Sequence, residues 1–334
     1  MKYQNSLDNE KTQCTICPHN CILADGQRGF CFIRKNVNGE IKLTAYGLNT
    51  GMAIDPIEKK PLYHFYPGSK VLSFGTTGCN LSCDFCQNWQ ISRSKIDPEF
   101  LKPASPEEIA ELAIENGCKS VAFTYNEPIV FFEYAIDTAI ECKKRDIKTV
   151  AVTAGYINPE PRKEFFKHMD AVNIDLKSFN KNFYKKYCKV ELEPVLDTIK
   201  YVKNETDCWM ELTTLLIEGE NDSAEEIEKE CDWIKENVGV DTPLHLSAFH
   251  PSYKFSDRKP TSFAALQKAY EIATRKGLNY VYTGNIIDTE SSSTFCHNCK
   301  KNIIQRTGYL IDSYNLKESG GCYFCGAKCP GVFE

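Results

Sequence analysis

Cys79, Cys83 and Cys86 stand in the run FGTTGCNLSCDFCQNW with the spacing C-x3-C-x2-C. Three thiolates this close suit an iron–sulfur cubane, which wants four ligands. With three supplied, one iron keeps an open position at which a cofactor can bind and be chemically cleaved. A structural zinc site is the plainer use of such thiols, but it takes four ligands from paired knuckles, and no fourth cysteine or histidine stands near this loop. A set of inert buried thiols is the other plain use. Ligand number therefore favours a catalytic cluster over a scaffold.

Nine of the remaining fourteen cysteines fall into two further blocks. Cys296, Cys299, Cys322 and Cys325 have C-x2-C-x22-C-x2-C spacing, with Cys329 left over. Two knuckles supply a tetrahedral four-thiolate site, so zinc is favoured there, with an auxiliary iron–sulfur cluster as the rival. Cys14, Cys17, Cys21 and Cys31 are unevenly spaced, and zinc or a second [4Fe–4S] cluster stays open for them. Cys118, Cys142, Cys188, Cys208 and Cys231 lie inside helix or strand patterns and read as core thiols. The N-terminal run MKYQNSLDNEKTQC has no signal-peptide core, and no apolar stretch nears a membrane span of about 20 residues. A cytoplasmic protein is expected, where seventeen cysteines mean metal rather than disulfides. A net charge of −5 without a Lys/Arg run argues against nucleic acid as partner.

Strand-like and helix-like segments alternate between residues 71 and 285, the mark of repeated βα units on a parallel sheet. The strands predicted are 71–75, 120–125, 149–153, 171–176, 210–217 and 244–249, with a further one at 280–283. Ser105, Pro106 and Glu108 spell a capping box that opens a helix, and Gly117 ends it. Six units are fewer than the eight of a closed barrel. The expected class is α/β, a partial (β/α)6 TIM-like barrel over residues 66–290, with an N-terminal cysteine-rich extension over 1–65 and a zinc-ribbon-like module over 291–334. The cysteine loop follows the first strand, and polar residues recur at the ends of others: Asn126 and Glu127 after the second, Asp175 and Lys177 at the fourth, Thr213 and Thr214 on the fifth, His250 after the sixth. Strand ends are where α/β enzymes keep their chemistry.

The cysteine loop, with aromatic Phe85 directly before Cys86, resembles the signature of the radical S-adenosylmethionine (radical SAM) superfamily. Together with CPHNC, GQRGFC, TYNEP, IDLK, FHPSY, YVYTGN, CHNC and CYFCG, it resembles the radical SAM member of the AmmeMemoRadiSam system, a group similar to pyruvate formate-lyase activating enzymes. The resemblance implies a [4Fe–4S] cluster on Cys79, Cys83 and Cys86, S-adenosylmethionine on its open iron, and reductive cleavage to a 5′-deoxyadenosyl radical that abstracts hydrogen. It implies that Asn126 and Glu127 meet the methionine amino group, that Asp175, Leu176 and Lys177 meet its carboxylate and the ribose, and that His250 lies beside the cofactor. Phe85 is expected near the adenine, or simply to exclude water. Each has a plainer reading: Glu127 as a helix cap, Asp175–Lys177 as an ion pair at a strand end. His245, between two leucines, reads equally as a satisfied core residue. Ala154 stands where relatives carry a polar side chain and is left out of the site. A ferredoxin or flavodoxin reductant is implied, and the substrate is a companion protein of that system or a small molecule. A glycyl-radical activase is the alternative, and a non-catalytic iron–sulfur and zinc electron carrier is the alternative outside enzymes.

Overall fold

The apolar runs line up in one open sheet. In the computed structural model, which describes residues 2–7, 11–93, 98–286 and 288–333, the sheet holds eight strands in sequential order. These are β1 (Met52–Pro56), β2 (Lys70–Phe74), β3 (Ser120–Phe123), β4 (Lys148–Thr153), β5 (Ala171–Asp175), β6 (Trp209–Leu216), β7 (Leu244–Ala248) and β8 (Val281–Gly284). Strands β2 to β8 run parallel, and β1 pairs antiparallel with β2. Six helices make the crossovers: α1 (Pro106–Glu115), α2 (Phe132–Lys144), α3 (Pro159–Lys167), α4 (Glu193–Glu205), α5 (Ala224–Asn237) and α6 (Phe263–Arg275). The result is the partial barrel of six βα units that the sequence predicts.

Strands covered on both faces need no alternation, and all four residues of β3 are buried. Helices bury one stripe, as Leu266, Ala269, Ile272 and Ala273 do on α6. The capping box opens α1 as expected: Ser105 N donates to Glu108 at 2.7 Å and Glu108 N to Ser105 Oγ at 3.2 Å.

Residues 52–56, assigned from sequence to the N-terminal extension, instead form the sheet's antiparallel edge. The following segment floors the barrel. Pro61 O accepts from Asn173 Nδ2 at 2.8 Å, and the N–H groups of Tyr63 and His64 donate to the buried Glu211 carboxylate at 3.0 and 2.8 Å. The C-terminal antiparallel sheet (294–295, 302–307 and 310–314) attaches below through fully buried Arg306, which donates to Tyr63 O at 2.8 Å and stands 3.5 Å from Glu58. Among the described residues, no helix is long and apolar enough to cross a membrane.

Candidate active site

The loop after β2 leaves the sheet through a tight passage. A Cβ on Gly75 would stand 2.3 Å from Thr124 O, and one on Gly78, at φ 81°, would stand 2.1 Å from Cys31 O. Only glycine fits such approaches. Asn126 then staples the loop: its Oδ1 accepts from Thr76 N at 3.0 Å, and its Nδ2 faces Thr76 Oγ1, Thr77 O and Gly78 O at 3.1, 3.0 and 2.8 Å. Tyr125 holds the preceding turn at φ 70°, and its carbonyl accepts from Asn88 Nδ2 at 2.8 Å. From the far side, a π-helical turn at Tyr184–Cys188 offers Tyr187 O to Asp84 N at 2.9 Å and Cys188 O to Ser82 N at 3.0 Å. Such turns inside helices recur at functional sites.

This scaffold points Cys79, Cys83 and Cys86 into one cavity of about 280 Å³ at the C-terminal ends of the strands. Phe85, Asn126, Glu127, Asp175, Lys177 and Thr213 share its wall. Phe85 is buried against Phe183 and Phe255, with ring centroids 5.7 and 6.0 Å away, and so closes one side to water. Glu127 is only 4% exposed. It caps the short 3-10 turn after β3, as its plainer reading has it, accepting from Ile129 N at 3.2 Å. It also accepts from Ala154 N at 2.8 Å and from the Thr153 hydroxyl. Burial pushes its carboxyl up to about 7, with these donors pulling the other way. Lys177 Nζ lies 2.6 Å from Asp175. Burial alone would lower the Lys177 ammonium, and Asp175 reverses this, holding it above its ordinary range.

Two of the residues expected at the cofactor, Leu176 and His250, are not in the wall of this cavity. Leu176 is fully buried in the hydrophobic core and outside the cavity wall, where the chain turns tightly after β5 with Leu176 N donating to Ile174 O at 3.1 Å. His250 is exposed at the rim, with Nε2 3.3 Å from Asn285 O, and it is Asn285 that lines the cavity. Within β6 the strand period splits Thr213 from Thr214: Thr213 faces the cavity, and Thr214 bonds the buried Glu230 on the helix side. His245 is a core residue, 2.6 Å from Glu211. Ala154 belongs to the site after all, through its backbone N–H, which no side-chain comparison reveals. Cys188 is a further arrival, buried against Cys83.

The donor set fits a cluster and a zwitterionic ligand. Burial holds the Cys79 and Cys86 thiols above their ordinary range, and contact with Cys188 followed by burial does so for Cys83. Iron offsets that penalty by taking the thiolate as ligand. The Thr213 hydroxyl oxygen is buried without a partner among the described residues, although the residue lines the cavity. A buried hydroxyl facing a cavity is suited to a ligand's hydrogen bond.

The radical SAM superfamily model matches residues 74–234, from the end of β2 into α5. An uncharacterised protein of Methanocaldococcus jannaschii is 42% identical over 98% of this chain and 97% of its own length. The chain belongs to the radical SAM superfamily. The 4-hydroxyphenylacetate decarboxylase activating enzyme of Clostridioides difficile is 23% identical over 59% of this chain and 68% of its own. Among solved structures, Streptococcus suis SuiB bound to S-adenosylmethionine superposes with a TM-score of 0.51 at 18% identity, covering 62% of this chain and 48% of that one. A radical SAM methyltransferase from Sphaerobacter thermophilus gives 0.51 at 14% identity over 66% and 67%. These two likenesses concern the fold. As a radical SAM enzyme, the chain has a family chemistry that uses a [4Fe–4S] cluster and S-adenosylmethionine, and Cys79, Cys83 and Cys86 in the cavity suit that pair.

The C-terminal cysteines form a second metal-competent group. All four ligand atoms of Cys296, Cys299, Cys322 and Cys325 lie within 4.8 Å of one another. The Cys296–Cys325 and Cys299–Cys322 sulfurs are 3.6 and 3.7 Å apart. Cys329 stands outside the group, buried 3.7 Å from His64 Nδ1.

Proposed function

We propose that this enzyme reductively cleaves S-adenosylmethionine at a cluster on Cys79, Cys83 and Cys86 and directs hydrogen abstraction at a substrate entering the barrel mouth. The carrying observation is convergence: three thiols, the Glu127 carboxylate, the Asp175–Lys177 pair and the orphan Thr213 hydroxyl line one cavity. The bound cluster and cofactor supply one-electron cleavage to methionine and a 5′-deoxyadenosyl radical. Everything else falls to the chain. Glu127 accepts the methionine ammonium, Lys177 faces the carboxylate, Asp175 and Thr213 take ribose hydroxyls, and Phe85 keeps water from the adenine side. Asn126 positions the cysteine loop. A low-potential ferredoxin or flavodoxin delivers the electron.

The C-terminal group is a structural zinc site on this reading. Four thiolates about 2.3 Å from one tetrahedral ion stand about 3.8 Å apart, close to the spacings of 3.6 and 3.7 Å. For substrate, a companion protein or a small molecule of the AmmeMemoRadiSam system is the first choice. Similarity to an activating enzyme of Clostridioides difficile supports a second reading, a glycyl-radical activase.

Deuterium transfer tests the proposal. The reduced enzyme is given S-adenosylmethionine and a deuterated extract of its own cells, split into protein and low-mass fractions. Deuterium in 5′-deoxyadenosine from one fraction identifies the substrate class, and a glycyl radical in the protein fraction selects the activase. Cofactor cleavage with no deuterium from either fraction contradicts hydrogen abstraction from a cellular substrate.

A further inference from the structure

The N-terminal cysteines lie directly behind the radical loop. Cys14, Cys17, Cys21 and Cys31 all line one small cavity, whose wall also holds apolar Ile16, Ile129 and Val130 and polar His19 and Asn80. The four C-terminal sulfurs lie within 4.8 Å of one another, whereas the four N-terminal cysteines are known by the cavity whose wall they share. One tetrahedral ion draws its thiolates to about 3.8 Å apart. A cubane spreads its four thiolates over four irons, so they surround one cavity without closing on one point. Arg34 also lines the cavity, 2% exposed, in a two-pronged ion pair with Glu133 at 3.1 and 2.7 Å. A buried cation beside a thiolate cluster offsets its negative charge.

The two cavities meet at the radical loop. Asn80 lines the N-terminal cavity, while its neighbours Cys79 and Leu81 line the radical cavity. His19 Nε2 lies 2.8 Å from Asn80 O, and the Cys31 carbonyl occupies the space a Gly78 side chain would need. Apolar surroundings disfavour added negative charge and a buried cation favours it, so Ile16, Ile129 and Val130 on one side and Arg34 on the other tune a cluster's reduction potential in opposite directions.

We propose that Cys14, Cys17, Cys21 and Cys31 hold a second iron–sulfur cluster that relays single electrons to the cluster of the radical loop. The relay rests on the assignment of Cys79, Cys83 and Cys86 made above. One electron leaves a reduced ferredoxin or flavodoxin, which is oxidised, and reduces the N-terminal cluster. Passing it to the radical-loop cluster returns the N-terminal cluster to its oxidised state, and no bond or proton is exchanged.

The experiment uses full-length protein reconstituted anaerobically with iron and sulfide, beside a Cys17→Ala/Cys21→Ala variant and a Cys79→Ala/Cys83→Ala/Cys86→Ala variant. Two cubanes correspond to about eight irons in the parent, and each variant is expected to hold half. Iron left in the triple variant should ignore S-adenosylmethionine, and iron left in the double variant should change its electron paramagnetic resonance spectrum on adding it. With both clusters reduced, the parent spectrum should be broadened by spin coupling that neither variant shows. Zinc instead of iron in the triple variant, or an undiminished iron load in the double variant, overturns the second cluster. A parent spectrum equal to the sum of the variants' spectra overturns the relay. A triple variant that still responds to S-adenosylmethionine overturns the earlier assignment and leaves the second cluster standing. Cys21→Ser, at a half-buried position, replaces the double variant if that one does not fold.

Discussion

Glu127→Gln separates charge from shape at the site proposed for the methionine ammonium. Burial pushes the Glu127 carboxyl up to about 7. An ammonium is drawn to the carboxylate and not to the acid, so affinity for S-adenosylmethionine should fall as pH drops through that value. For one group titrating near 7, the ionised fraction falls from about 90% at pH 8 to about 10% at pH 6, roughly a tenfold loss of affinity. Glutamine never ionises. At pH 8 the variant lacks one charge-assisted hydrogen bond, about 1.5–3 kcal/mol, or roughly 10- to 150-fold in Kd. Anaerobic calorimetry on reconstituted parent and variant at pH 6, 7 and 8 measures both effects. The ligand's own titration acts on both proteins alike, so the readout is the gap between them, which should close about tenfold between pH 8 and pH 6. Equal affinities at pH 8, or a gap independent of pH, would refute the role given to Glu127.

Gly78→Ala places a methyl 2.1 Å from Cys31 O at φ 81°, so melting temperature and iron retention should both fall. Gly117→Ala, at φ 64° with nothing within 4 Å, is the control and should cost only about 1 kcal/mol. Glu211→Ala strips the acceptor of Tyr63 N, His64 N, the Trp209 indole and His245. Breaking such a buried pair costs about 3–5 kcal/mol, readable by chemical denaturation. Burial alone would raise the Glu211 carboxyl, and His245 outweighs it, so the folded value lies below the ordinary 4.5. Its stabilisation is complete above that ordinary value and should be lost as pH falls through the lower folded value. Cys299→Ser/Cys322→Ser should release about one zinc per chain and lower the melting temperature while the radical-loop iron remains; retained zinc would contradict the C-terminal assignment.

What the sequence made legible had a strong local signature. Short runs rich in apolar and β-branched residues, alternating with helical patterns, marked β2 to β8, and Ser105 with Glu108 marked the start of α1. The radical loop stood out because its ligands are close in sequence. Strand β1 had no such signal: Met52–Pro56 is an edge with two exposed residues and a terminal proline, and its partner β2 decides its conformation. Cys188 reaches Cys83 through a π-helical turn that spacing cannot announce. The motif around residue 176 placed three neighbours at the cofactor, while the turn that follows β5 sends Leu176 into the core. Ala154 acts through its backbone, so its side-chain identity was misleading.

The central claim is that Cys79, Cys83 and Cys86 hold a cluster whose open iron takes S-adenosylmethionine. Its most direct test is anaerobic reconstitution, reduction with dithionite and addition of S-adenosylmethionine, with 5′-deoxyadenosine quantified beside the electron paramagnetic resonance spectrum. A signal that shifts on adding the cofactor, with 5′-deoxyadenosine formed by the parent and not by Cys83→Ala, is the predicted result. A reduced cluster that neither shifts nor cleaves the cofactor, or a Cys83→Ala variant that cleaves it as the parent does, would contradict the claim.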